Sequence, residues 1–200
     1  MLLAVEGLDY LHLLLRSRLK QDALFQRNAL LWDFKQGGNT LGQFLSVLRP
    51  QRNFDRVVAL GVICDAEQDR VAMTASIRDH LRNNGFAVPE QQGEIAEGRP
   101  AVSFLVMPHD EPSGCLEHAC LKSAVNRQLA ACAEQFLSCV GEKKLNANWQ
   151  AKLRVHAMIA GCGGNPAMTL GESAEAGVWN FDHPSLAAML DFISRLCRRV

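Results

Sequence analysis

Three carboxylates stand at alternate positions, Asp65, Glu67 and Asp69, directly after the uncharged run 57–64, "VVALGVIC". Oxygen donors in such number, with few histidines among them, suit Mg²⁺ or Mn²⁺ rather than zinc. If residues 65–67 continue an extended backbone, Asp65 and Glu67 present their side chains together. Two such charges about 5 Å apart repel by roughly 3 kcal/mol at an effective dielectric near 20. A divalent ion would offset that cost. The plainer alternative is that all three point into water at a helix N-terminus, where acids favour the dipole.

The elements that must position these acids read as strands alternating with helices. Apolar runs at 2–7, 28–35, 57–64 and 101–108 predict four strands. Helical patterns lie between them at 9–20, 40–48 and 69–84, the last closed by Asn83-Asn84-Gly85. This alternation predicts an α/β fold with a mostly parallel, Rossmann-like four-stranded sheet flanked by helices. Continuous apolar strands imply burial on both faces, and ligands of such sheets sit beyond the strands' carboxyl ends. Those ends carry Glu6 and Asp9, Asp33, then Asp65, Glu67 and Asp69, then His109, Asp110 and Glu111. Acids gathered at every exit suit a cation better than a bare phosphate. Residues 87–100 form a long polar connector. After Pro112 the pattern turns helical, at about 114–126, 127–140, 147–161 and 184–198, with a glycine-rich break at 161–166. One domain over 1–200 is expected: an α/β core over 1–112 and a mainly helical C-terminal extension, 113–200, packed on it.

The stretch "VEGLD" at 5–9, taken with "DAE" at 65–67, resembles the Toprim domain of topoisomerases, primases, recombination mediators and overcoming-lysogenisation-defect (OLD) nucleases. Glu6-Gly7 matches that domain's glutamate–glycine pair after the first strand. Asp65-Ala66-Glu67 matches its D-x-D pair after the third, with glutamate in place of the second aspartate. The chain is also similar to an uncharacterised Toprim-related bacterial family, domain-of-unknown-function family 3226. The stretches "FKQGGN" (34–39), "MPHDEPSGCLEH" (107–118), "AKLRVHAMIA" (151–160) and "GVWNFDHPSL" (177–186) carry that likeness over nearly the whole chain.

The resemblance implies a Toprim-like fold in which Asp65 and Glu67 hold Mg²⁺ (or Mn²⁺) and Asp69 assists. Glu6 would be a general acid or base, or a further ligand. Likeness to OLD-type nucleases implies that Lys152 steadies transition-state charge. The function implied is Mg²⁺-dependent, nuclease-type phosphodiester chemistry on DNA or RNA. Glutamate at 67 moves the carboxylate by about 1.5 Å, so the other reading is a binding module for nucleic acid or protein, keeping the fold with a degraded metal site. A phosphoacceptor receiver domain would share the sheet type but needs paired acids after the first strand and a lysine after a fifth.

Composition narrows the class. Lys plus Arg and Asp plus Glu both total 21, so net charge does not announce a nucleic-acid binder. No apolar run approaches the roughly 18–20 residues that span a bilayer. Seven cysteines without a C-x-x-C pair fit reduced thiols, and with no leader recognised the expectation is a cytoplasmic protein. The group His109, Cys115, His118 and Cys120 matches no common zinc spacing. Glu117 is expected to favour a helix dipole, Gly37 and Gly38 to make a turn, and Arg49, Arg52 and Arg56 to be solvated. Trp32, Trp149 and Trp179 sit in apolar contexts and are expected in the core.

Overall fold

The computed structural model describes residues 1–7, 9–10, 13–14, 23–35, 40–140, 145–162, 165 and 167–199. Four strands, β1 (Leu2–Val5), β2 (Leu30–Asp33), β3 (Ala59–Asp65) and β4 (Ala101–Met107), form one sheet in the order β2-β1-β3-β4. Every pairing is parallel, as the alternating pattern requires. The second strand is shorter than its apolar run, and the third begins two residues later and extends through Asp65.

The described helices are α1 (Ala23–Asn28), α2 (Leu41–Leu48), α3 (Arg70–Asn83), α4 (Leu116–Lys122), α5 (Arg127–Val140), α6 (Ala147–Gly161), α7 (Leu170–Glu175) and α8 (Pro184–Cys197). Of the helix expected over 9–20, the described residues Asp9, Tyr10, Leu13 and Leu14 are helical. The expected turn with Gly37 and Gly38 lies outside the described residues.

Alternation along each strand divides the core into two layers. Leu2, Ala4, Leu60, Val62, Cys64, Val102, Phe104 and Val106 face one way and pack with Leu45 of α2 and Ile77 and Leu81 of α3. Leu3, Val5, Ile63, Leu105 and Met107 face the other way, against Tyr10, Ala119 of α4, Met158 of α6, and Leu186, Leu190 and Ile193 of α8. Residues before and after 112 therefore share that second layer. At Gly61 the approach is close: a Cβ there would stand 2.7 Å from a Leu196 methyl and 2.8 Å from one of Leu3.

The connector 87–100 doubles back along β4. Ala96 and Val102 exchange backbone hydrogen bonds of 2.8 and 2.9 Å, and the Gly93 N–H donates to the Phe104 carbonyl at 2.8 Å. It thereby covers an edge that would otherwise present unpaired backbone groups. No helix among the described residues is long and apolar enough to cross a membrane.

Candidate functional site

The chain leaves β1 toward β2 on one flank and returns as β3 on the other. Open α/β sheets leave a crevice at such a reversal, outside the strands' carboxyl ends. Here β3 outruns β1: Val5, the last residue of β1, pairs with Ile63, whereas Asp65 still pairs with Met107 of β4. Beyond Val5 the Asp65 N–H finds a side chain in place of a β1 carbonyl. The Glu6 carboxylate accepts from it through Oε2 at 2.8 Å.

Gly7 permits this arrangement, because its φ of 100° lies in the left-handed region that side chains disfavour. Its N–H turns to Asp33 Oδ1 at 2.9 Å, and the Lys35 N–H donates to the same oxygen at 2.9 Å. Buried Asp33 thus ties the exits of β1 and β2 together. The Lys35 chain then reaches across, placing Nζ 2.5 Å from Glu6 Oε1; Lys35 is 51% exposed and Glu6 only 7%. Partial burial works against the ammonium, but the Glu6 contact and the fields of Glu67 and Asp65 hold its pKa above the usual lysine range.

Asp65 is enclosed. Its Oδ1 accepts from the Leu116 N–H at the start of α4, at 2.9 Å, and from the Tyr10 hydroxyl. Burial, then the fields of Glu6, Glu117 and Glu67, push its carboxyl well above the usual carboxylate range, with the Tyr10 hydrogen bond pulling the other way. Tyr10 is raised in turn by its own burial and by Asp65. Glu117 is buried in the first turn of α4. Rather than only meeting a dipole from the surface, it adds negative field at Asp65 and at the Cys115 thiol, which burial and Glu117 push up.

Glu67 corrects the expectation of a shared face. It leaves the extended region with φ 54°, so its side chain does not follow the strand's alternation. A reciprocal pair of backbone bonds with Gly114, 2.8 and 2.7 Å, holds this turn against the loop after β4. The exposed carboxylate accepts from Asn148 Nδ2 at 2.8 Å. Asp69 is the N-cap of α3, its Oδ1 accepting from the Val71 and Ala72 N–H groups at 2.8 and 3.1 Å. That oxygen is committed to the helix end, as the plainer alternative has it. At the exit of β4, Asp110 and Glu111 pair with Lys122 at 2.9 and 2.5 Å.

Lys152 lies on α6 and lines an open cleft of about 400 Å³ together with Glu67, Gln68, Ser113, Asn148 and Trp149. The expectation of three core tryptophans holds only for Trp179, 3% exposed; Trp32 and Trp149 are 44% and 58% exposed.

The geometry thus brings Glu6, Asp65 and the field of Glu67 to one edge, puts Lys152 on the cleft that Glu67 also lines, and turns Asp69 to a structural task. Tyr10, Lys35 and Asn148 complete the arrangement and were not singled out from sequence as parts of it. For Lys35 a readable sign exists, since it stands two residues past a strand exit within "FKQGGN". For Tyr10 and Asn148 no local sign exists, because their partners lie 55 and 81 residues away.

Among the described residues, no three His, Cys, Asp or Glu side chains are grouped so as to hold one ion. Proteins usually hold Mg²⁺ by one or two carboxylates, with the remaining positions left to water and phosphate. Glu6 and Asp65 lie at one edge, where Glu6 Oε2 is engaged by the Asp65 N–H, Glu6 Oε1 by the Lys35 ammonium, and Asp65 Oδ1 by the Tyr10 hydroxyl and the Leu116 N–H. They do not form a closed cage.

The chain matches, over residues 1–198, the family described as a protein of unknown function (DUF3226), and it belongs to that family. No curated protein and no solved structure matches it.

Proposed function

We propose that the chain carries out Mg²⁺- or Mn²⁺-dependent phosphodiester chemistry on nucleic acid at the Glu6–Asp65 edge, as a Toprim-like, nuclease-type site. The observation that carries this reading is the Glu6 carboxylate set on the Asp65 amide, at the reversal of strand order, with a lysine ammonium on its other oxygen. The Toprim resemblance assigns the ion to Asp65 and Glu67, with Glu6 as a general acid or base or a further ligand; with Glu67 on Asn148, Glu6 takes the second place here. Glu6 and Asp65 would hold the ion, which when bound neutralises charge building on phosphate oxygens. The Tyr10 hydroxyl and the Leu116 amide fix one oxygen of Asp65, so its direction is set before substrate arrives. Lys35 covers Glu6 until a cation or a phosphate draws it away. Lys152, on the cleft that Glu67 also lines, supplies a second positive charge for the substrate.

A second reading has its own support. Glu67 hydrogen-bonds Asn148 and takes a left-handed turn, leaving two carboxylates where the Toprim pattern has three. That favours a module that binds nucleic acid or protein without cutting.

Incubating end-labelled single-stranded DNA and RNA with the protein and Mn²⁺ separates the two. The enzyme reading expects cleavage, lowered by roughly 100-fold or more in Asp65→Asn and Glu6→Gln. No cleavage by the wild type with either metal, or equal cleavage by the variants, would overturn it.

A further inference from the structure

The cleft beside the acidic edge has a wall that phosphate chemistry does not explain. Helix α6 buries Ala151, Val155, Met158 and Ile159 on one face. Trp149 precedes Ala151 by two positions, which turns it about 160° from Ala151 and away from that face. It is 58% exposed, a large apolar surface on a polar rim. Lys152, one turn on, sets its ammonium 5.8 Å from the indole centroid. Asn146 caps the helix by accepting from the Trp149 N–H at 3.0 Å, so the backbone carrying the ring is fixed. Asn148, between them, holds Glu67, and Glu67 stands two residues from Asp65. A flat aromatic surface, a cation, an amide and a carboxylate therefore line one cleft of about 400 Å³.

We infer that Trp149 is a stacking platform for an unpaired nucleobase of a single-stranded DNA or RNA substrate. In this arrangement Lys152 meets the adjoining phosphate, and Asn148 and Glu67 face the base edge. Stacking on an exposed aromatic ring is tolerant of base identity and needs a π-face that a duplex does not offer. A cation beside the ring suits a polyanion whose bases alternate with phosphates. The inference rests on the nucleic-acid reading of the neighbouring acids but not on their catalysing a reaction.

Binding is therefore measured in EDTA at low salt, with fluorescein-labelled oligothymidylate and oligouridylate strands of roughly 15 nucleotides, on the full chain. The wild type is expected to bind at least one of the two, which tells DNA from RNA. Trp149→Ala should weaken binding by about fivefold or more, and Trp149→Phe should stay within about twofold of wild type. In a Trp32→Phe background, saturating strand should quench indole emission, because the remaining tryptophan, Trp179, is buried. No binding to either strand overturns the inference. So does unchanged affinity in Trp149→Ala, or a loss in Trp149→Phe equal to that in Trp149→Ala. Tight binding without any cleavage in Mn²⁺ would sink the catalytic reading while leaving the platform standing.

Discussion

Asp65 and Glu67 carry the same charge two residues apart, yet their surroundings are opposite. Asp65 ends a buried strand, takes hydrogen bonds from a buried phenol and a helix-start amide, and feels three other carboxylates. Glu67 has turned into the left-handed region, lies exposed, and meets one surface amide. The contrast arises from where the strand stops, because the alternation that places Asp65 inside ends before Glu67. Like charges crowded in a dry edge store unfavourable free energy that a cation or proton can release. A like charge in water stores almost none and serves to aim a contact. Sites that do chemistry are built from the first kind, and their rims from the second.

Removing each acid's hydrogen-bond donor tests this difference, with the larger effect expected inside. Tyr10→Phe should destabilise the fold by about 1–3 kcal/mol in denaturant unfolding, the cost of leaving a buried acceptor short of a donor. The loss should shrink when Asp65→Asn is also present, since the two residues share one interaction. A Tyr10→Phe variant as stable as wild type would dissolve the distinction between interior and rim.

Lys35→Met comes next. It leaves the nearly buried Glu6 without its ammonium, and the expected loss is about 1–2 kcal/mol. The same variant should bind Mn²⁺ more tightly than wild type, because the ion no longer competes with Lys35 for Glu6 Oε1. Weaker Mn²⁺ binding would contradict the view that Lys35 stands where the cation acts.

Asp65→Asn should act in the opposite sense on stability. Its folded pKa is raised above its unfolded value, so the folded state holds the proton more tightly than the unfolded one. Metal-free stability should therefore be highest at pH near and below the ordinary carboxylate value, until other acids protonate, and should fall as pH rises through the raised pKa. Asparagine removes that slope, and at neutral pH it should stabilise the metal-free protein by about 1 kcal/mol. The smallest effect is expected for Asn148→Ala, within about 0.5 kcal/mol of wild type, as for most surface contacts.

The strands were readable because a parallel sheet buried on both faces demands unbroken apolar runs, and 57–64 and 101–108 are such runs. The acids at the edge were readable for the same reason, since each marks where a run stops. The direction of Glu67 was not, because it depends on a left-handed turn held by Gly114 from another loop. Trp149 was misplaced in the core because hydrophobicity alone does not say which face of a helix is covered; the buried positions 151, 155, 158 and 159 decide it. Helix α7 escaped notice by its shortness, although Thr169 and Glu172 have the spacing of a capping box and form one.

Whether Glu6 and Asp65 form a cation site is tested by Mn²⁺ binding to the full chain, followed by electron paramagnetic resonance. Saturable loss of the free-ion signal, competed by Mg²⁺, is expected with the wild type, and none with the Glu6→Gln, Asp65→Asn double variant. A wild-type protein that leaves the free Mn²⁺ signal intact, or a double variant that binds as well as wild type, would contradict such a site.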